Sequence, residues 1–125
     1  MFLLDTNILL EIILSQAKSA VCKKFIRSNI GQIYVSDFSL YSVGIYLFRR
    51  NKEKQFPKVL RIISSISSRT SLKDSELTEL SSVKINFNLD FDDAYQYQVA
   101  KEKKLTLVTL DNDFKKVKGI KVIFL

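Results

Sequence analysis

The chain has 125 residues and a formal net charge of +7; 46% of its residues are hydrophobic and 26% are charged. This composition predicts one globular domain over residues 1–125 and excludes a disordered chain. A single cysteine and no histidine exclude a disulfide framework, a zinc site built on cysteine or histidine, and Ser-His-Asp or Cys-His catalysis, so any metal must be held by oxygen.

The first half of the chain alternates short apolar runs with helical patterns. Residues 1–4 predict a strand that ends at Asp5, and the helical spacing of apolar residues continues from there until Gly31. Residues 32–36 predict a second strand. A mostly apolar helix then begins at Asp37, and an amphipathic helix follows the only proline of the chain.

The second half continues the alternation. In chain order it predicts a short strand over 69–74, a helix over 74–86, a helix over 88–104 with Asp90 as its N-cap, a strand over 105–110, a turn or short helix over 111–119 and a closing strand over 120–125. Short strands that alternate with helices predict an α/β domain around a central, mainly parallel sheet of about four to five short strands.

Carboxylates follow the predicted strands. Asp5, Asp37, Asp74 and Asp111 each come after one, and ligands of open α/β sheets bind beyond the carboxyl ends of the strands. We expect Asp37, Asp74 and Asp90 to be helix N-caps, a common role for Asp at these positions. Asp5 and Asp111 are less easily explained as caps, because Ser, Thr or Asn would serve equally well.

A further carboxylate comes from the helix that starts at Asp90. Its apolar face places Asp93 nearer the interior, whereas Asp92 is expected to point further towards solvent. Several carboxylates around one point repel each other unless a hard cation such as Mg²⁺ or Mn²⁺ neutralises them. An all-oxygen site of this kind can activate water against a phosphodiester, which makes a metal-dependent nuclease one candidate function.

The net positive charge favours a polyanionic partner such as RNA or DNA. Candidate contacts for RNA phosphates are Arg49, Arg50, Lys115 and Lys116. No charge-free apolar run approaches the roughly 20 residues of a membrane span, and no basic segment opens the chain. We therefore expect a cytoplasmic protein without a membrane segment.

Four stretches together resemble a known family. LLDTNILL at 3–10, VSDFSLYSV at 35–43, the segment 89–114 with its DDA and TLDNDF, and the closing KVIFL are similar to the PIN-domain ribonucleases, which include the VapC-type toxins. The resemblance implies a three-layer α/β/α fold and an endoribonuclease that uses Mg²⁺ or Mn²⁺. It also implies the toxin of a type II toxin–antitoxin pair, with a small antitoxin as partner, and a homodimer.

Carried over position by position, the resemblance implies the catalytic metal ligands Asp5, Asp93, Asp111 and Asp113. It implies that other polar side chains support them, namely Thr6, Asn7, Ser36, Ser42 and Thr109. The family usually has Glu where Ser42 stands, and a neutral hydroxyl cannot offset metal charge as a carboxylate does.

This departure at Ser42 leaves two interpretations open. Glu11, further along the first helix, could be a substitute ligand, although the amphipathic pattern of this helix favours a Glu that faces solvent. Alternatively, metal binding is weakened and the domain is a degenerate PIN domain that binds RNA or protein without cutting. The enzyme is favoured because the other acids remain. A phosphoacceptor domain of the receiver type is disfavoured, because RTSLKD supplies no isolated Asp in a Gly/Pro-rich loop.

Overall fold

A five-stranded, wholly parallel sheet forms the centre of the computed structural model, which describes all 125 residues. The spatial strand order is β3-β2-β1-β4-β5, and every neighbouring pair is parallel. The strands are β1 Phe2–Leu4, β2 Ile33–Ser36, β3 Ser68–Thr70, β4 Thr106–Thr109 and β5 Val122–Phe124. This confirms the predicted α/β class, and the strands are as short as expected.

Seven α-helices connect and flank these strands. They are α1 Thr6–Ile13, α2 Ser19–Ser28, α3 Asp37–Arg49, α4 Phe56–Ile66, α5 Asp74–Leu77, α6 Leu80–Phe87 and α7 Phe91–Lys103. Two short 3₁₀ helices, Glu53–Gln55 and Asn112–Lys116, precede α4 and follow β4. None of these helices combines the length and the apolar composition that crossing a bilayer requires.

The two faces of the sheet are covered by separate groups of helices. Successive strand residues point to opposite faces, so Leu3 packs on one side and Leu4 on the other. The Leu3 side is covered by α6 and α7, and the Leu4 side by α1, α2, α3 and α4. Cys22 is fully buried in the second of these cores. The result is the three-layer α/β/α arrangement.

The strand register determines which residues meet at the carboxyl edge. Leu4 of the central strand is level with Val35 of β2 and with Val108 of β4. The residues that come next in the chain therefore emerge side by side at one edge of the sheet. They are Asp5, Ser36 and Thr109.

Two of the three predicted helix caps are wrong. Asp90 caps α7 as expected, because its Oδ1 accepts a hydrogen bond from the Asp93 N–H at 3.1 Å. The cap of α3 is instead Ser36, the last residue of β2, so Asp37 already lies in the helix, where its carboxylate accepts from the Tyr95 hydroxyl at 2.6 Å. At α5 the capping position is Lys73, and Asp74 is the first helical residue.

Candidate metal centre at the carboxyl edge of the sheet

A polar cavity of about 290 Å³ lies at the carboxyl edge, between β1, β4 and the start of α7. Nine residues line it: Asp5, Thr6, Asn7, Leu10, Ser42, Asp92, Asp93, Gln96 and Asp111. Leu10 is the only apolar one among them. A larger cavity of about 480 Å³ between α1, α2 and α4 is lined mainly by isoleucine and leucine, so it offers little chemistry.

Asp5 is the most buried carboxylate of the cavity, with 5% of its surface exposed. It occupies the N-cap position of α1, yet its side chain makes no capping hydrogen bond. Its Oδ2 instead accepts from the Thr109 hydroxyl at 2.6 Å. Burial raises the pKa of Asp5 to about 6, against the opposing effect of the Thr109 hydrogen bond. The capping explanation for Asp5 is therefore not supported.

Thr109 joins the two chain segments that carry Asp5 and Asp111. Its Oγ1 accepts from Asn7 Nδ2 at 3.1 Å and from the Asp111 N–H at 2.9 Å, besides donating to Asp5. Asn7 Oδ1 in turn accepts from the Leu110 N–H at 3.2 Å. These contacts tie Asn7 and Thr109 to Asp5 and to the start of the segment that carries Asp111.

Replacing Thr109 by valine removes this hydroxyl and leaves a buried carboxylate without its donor. We expect the free energy of unfolding to fall by about 1–3 kcal/mol, the usual cost of an unsatisfied buried polar group. Thr109→Ser is the matched control, because it keeps the hydroxyl and should lose clearly less. Urea unfolding of both variants measures the difference, and equal losses would contradict the role given to the hydroxyl.

Three carboxylates come together beside Asp5. One oxygen from each of Asp93, Asp111 and Asp113 lies within 4.8 Å of the others. The Asp113 N–H donates to Asp111 Oδ1 at 2.8 Å, which bends the chain after β4 so that both acids stay near the edge. Asp113 itself is exposed and is not among the residues that line the cavity.

Asp93 is electrostatically coupled to the other acids. Burial raises its pKa to about 7, and Asp90, Asp5, Asp111 and Asp113 all add to the increase by repulsion. Asp93 is half-buried while Asp92 is exposed, as the helical pattern predicts, but the side chains of both line the cavity. Asp5 and Asp93 thus hold protons near neutral pH, and they lie close enough to the other acids for a bound cation to displace those protons.

Sequence reasoning missed Gln96, which is 1% exposed and lines the cavity one helical turn after Asp93. Its Nε2 donates to Ser39 Oγ at 2.5 Å and to Thr6 Oγ1 at 3.3 Å. Ser36 is buried behind this group and donates to Ser39 Oγ at 3.2 Å, without lining the cavity. The spacing of three residues from Asp93 was the signal that could have identified Gln96.

The structure does not bring Glu11 into the cavity. Its Oε1 accepts from the Lys18 N–H at 2.6 Å, at the connection between α1 and α2. Ser42, by contrast, does line the cavity, so the position of the missing carboxylate is filled by a hydroxyl. The interpretation of Glu11 as a substitute ligand therefore receives no support from the fold.

The predicted RNA contacts differ in their distance from the cavity. Arg49 and Arg50 lie at the far end of α3, about 10–12 Å along the helix from Ser42, the α3 residue that lines the cavity, at 1.5 Å per residue. Lys115 and Lys116 belong to the 3₁₀ helix that also contains Asp113, and both are exposed. The lysines are thus placed beside the acids, and the arginines are not.

The donor set of the cavity fits a hard divalent cation. Every candidate ligand is an oxygen, and the site lies open enough for a cation to keep several waters, which suits Mg²⁺ or Mn²⁺. The residues that would hold such an ion are Asp5, Asp93 and Asp111, with Asp113 at the rim. These are the four carboxylates that the resemblance implies as ligands.

Fold and site together define a parallel α/β domain with an acidic pocket at the carboxyl edge of its sheet. The PIN domain family model matches residues 2–120, so the chain belongs to the PIN domain family. Members of this family are nucleases, and membership supports a hydrolase of that broad class. A search of curated proteins finds no match.

Solved structures share this fold at low sequence identity. VapBC2 from Rickettsia felis, bound to a promoter DNA fragment, is 18% identical with a TM-score of 0.79, and the match covers 99% of this chain and 98% of that one. VapC20 of Mycobacterium tuberculosis, a toxin that cleaves the sarcin-ricin loop, is 16% identical with a TM-score of 0.81 and 98% coverage of both chains. FitAcB from Neisseria gonorrhoeae is 18% identical with a TM-score of 0.70, covering 98% of this chain and 96% of that one.

Proposed function

We propose that this chain is a divalent-metal-dependent endoribonuclease and the toxin of a type II toxin–antitoxin pair. The observation that carries the proposal is the convergence of Asp5, Asp93 and Asp111 on one open cavity. A basic protein with a localised acidic pocket can attract a polyanion and still concentrate cations at one point. Membership of the PIN domain family supports the same class of reaction.

Each residue of the site has a distinct task in this reaction. Asp5, Asp93 and Asp111 would hold the cation, with Asp113 as an additional ligand. A divalent ion bound there supplies activation of water and neutralises charge on the phosphodiester. Thr109 keeps Asp5 and Asp111 in place through its three hydrogen bonds. Lys115 and Lys116, next to Asp113, are the proposed contacts for RNA phosphates.

Cleavage of labelled RNA tests this function directly. We expect the purified protein to cut single-stranded or structured RNA in the presence of Mn²⁺ and to lose this activity when EDTA removes the ion. Asp5→Asn, prepared in the same way, measures contaminating nuclease. No cleavage above the Asp5→Asn background, on either kind of RNA, would refute the proposed activity.

A degenerate, non-cutting domain is the second candidate, and the position of Ser42 is the observation that favours it. This hydroxyl lines the cavity where the family usually places a carboxylate. The site therefore has less negative charge with which to hold a cation. Calorimetry separates the two candidates: retained RNA affinity without any divalent-ion binding at millimolar concentration would indicate a binding module.

Restoring the missing carboxylate should strengthen cation binding. We expect Ser42→Glu to lower the Kd for Mn²⁺ by about tenfold, because affinity in all-oxygen sites depends on the number of charged ligands. Ser64→Glu on the exposed face of α4 adds the same charge away from the cavity and is the control. Titration calorimetry measures both; an equal effect from Ser64→Glu would show that only the net charge matters.

An antitoxin and a second copy of the chain are the proposed protein partners. Several structural neighbours are toxin–antitoxin complexes, including VapBC2 from Rickettsia felis. The side chains of Tyr41, Ile45 and Phe48 form an exposed apolar stripe on α3, which is an available surface for a homodimer. Light scattering measures both associations. The purified chain alone tests for the homodimer, and the chain co-expressed with its antitoxin tests for the complex.

A further inference from the structure

The Gln96 amide is satisfied at one end and unsatisfied at the other. Its Nε2 donates to the hydroxyls of Ser39 and Thr6, at 2.5 and 3.3 Å. Its Oε1 is fully buried and has no hydrogen-bond partner. A buried carbonyl oxygen without a partner is costly, so its retention calls for a ligand or a function.

A hydroxyl network holds the nitrogen end of the Gln96 amide. Thr6 Oγ1 and Ser39 Oγ are 2.8 Å apart, and Ser36 Oγ donates to Ser39 Oγ at 3.2 Å. The amide nitrogen donates to two hydroxyls of this network, and the carbonyl oxygen points away from it without a partner. The carbonyl oxygen is therefore the group available to a ligand.

Gln96 shares its cavity with the proposed cation ligands. It lies three residues after Asp93 on α7, on the same face of the helix, and lines the pocket together with Asp5 and Asp111. An amide oxygen belongs to the ligand class that Mg²⁺ and Mn²⁺ accept, and it adds no charge to a group of mutually repelling carboxylates.

We propose that Gln96 supplies, through Oε1, a neutral oxygen that binds the divalent cation of this pocket directly or through one water. The inference rests on the proposed metal site. Gln96, on α7, would thus supply part of the cation coordination that is lost because Ser42 replaces the usual carboxylate. The cation would also give the unpaired Oε1 of Gln96 a partner.

The chain contains a matched control in Gln98. This residue is also fully buried on α7, and its Oε1 also has no partner. Its Nε2 donates to Glu102 at 2.9 Å, and it does not line the cavity. A substitution there produces the same loss of a buried amide without touching the proposed cation site.

Three variants and the wild type are compared by Mn²⁺ titration calorimetry and thermal unfolding. Gln96→Met should raise the Kd for Mn²⁺ by about 10–100-fold, the usual effect of removing a group that supports a metal site. Gln96→Glu should lower the Kd, because the Ser39 and Thr6 hydroxyls can donate to a carboxylate whose other oxygen adds charge to the site. Gln98→Met should lose stability and keep the wild-type Kd.

The outcomes separate this inference from the proposed nuclease function. If wild type binds Mn²⁺ and both Gln96 variants keep its Kd, the inference is overturned while the metal site stands. If the Kd changes as expected but no RNA is cleaved, the inference about Gln96 holds and the proposed nuclease function is refuted. If the wild type does not bind Mn²⁺, the inference and the proposed function are both refuted. Should Gln96→Met fail to fold, Gln96→Glu decides, since an unchanged or higher Kd refutes the inference.

Discussion

Asp93→Asn should reduce RNA cleavage at least about a thousandfold, since a divalent ion supplies several kcal/mol of transition-state stabilisation and each 1.36 kcal/mol is a factor of ten. The asparagine keeps the size of the side chain and removes the charge that holds the cation against Asp5 and Asp111. Asp93 is the central member of the group, because the other three proposed ligands, Asp5, Asp111 and Asp113, all repel its carboxylate. The fold should survive, since removing a repelled carboxylate relieves repulsion.

Asp92→Asn is the control for this experiment. Asp92 is the neighbouring residue and also lines the cavity, but it is exposed and lies outside the close group of Asp93, Asp111 and Asp113. We expect its loss to lower cleavage less than about tenfold, as for an exposed charge that contributes only screened attraction. Initial rates on one labelled RNA, at saturating Mn²⁺, measure both variants. Equal losses would contradict the assignment of Asp93 as the ligand.

Cation binding should depend steeply on pH. The pKa of Asp5 is raised by burial to about 6, and that of Asp93 by burial and by its acidic neighbours to about 7. A cation must displace these protons, so we expect the affinity for Mn²⁺ to rise by roughly 500-fold between pH 5 and pH 7 and to level off above that.

The same shifts predict the stability of the metal-free protein. The folded state holds protons on Asp5 and Asp93 that the unfolded chain releases from about pH 4 upward, so the contribution of these groups to stability falls as the pH rises towards 7. Mn²⁺ should cancel this fall. Thermal unfolding between pH 4.5 and 7.5, with and without Mn²⁺, measures both effects, and Asp93→Asn should show a shallower dependence. A pH-independent Kd for Mn²⁺ would show that the acids do not bind it.

Local patterns in the sequence were sufficient to predict the α/β class and the acidic edge. Short apolar runs for the strands and a 3.6-residue period for the helices each leave a direct trace in the order of apolar residues. Because the strands are parallel, their carboxyl ends meet at one edge, and the acids that follow them must lie together there. This is why Asp5 and Asp111 could be placed in one pocket although more than a hundred residues separate them.

Two of the three predicted helix caps are wrong, because the N-cap and the first helical residue differ by only one position in the sequence. An Asp just after a strand is compatible with the N-cap or with the first helical turn, and the two differ by one position. At α3 the buried hydroxyl of Ser36 takes the cap, and Asp37 is left free to pair with Tyr95 from a distant helix. The partner lies 58 residues away, so no local pattern could reveal it.

By itself the sequence determined the α/β class, the family and the acids that are candidates for the site, because all three depend on residue identity, spacing and the parallel topology. Only the tertiary structure decided what each polar side chain contacts. In the structure Glu11 accepts a hydrogen bond from the Lys18 N–H, Ser42 lines the cavity, and Gln96 is buried with one oxygen unpaired. Hydrogen-bond partners depend on side-chain directions between elements that are distant in the chain, and periodicity within one element does not encode them.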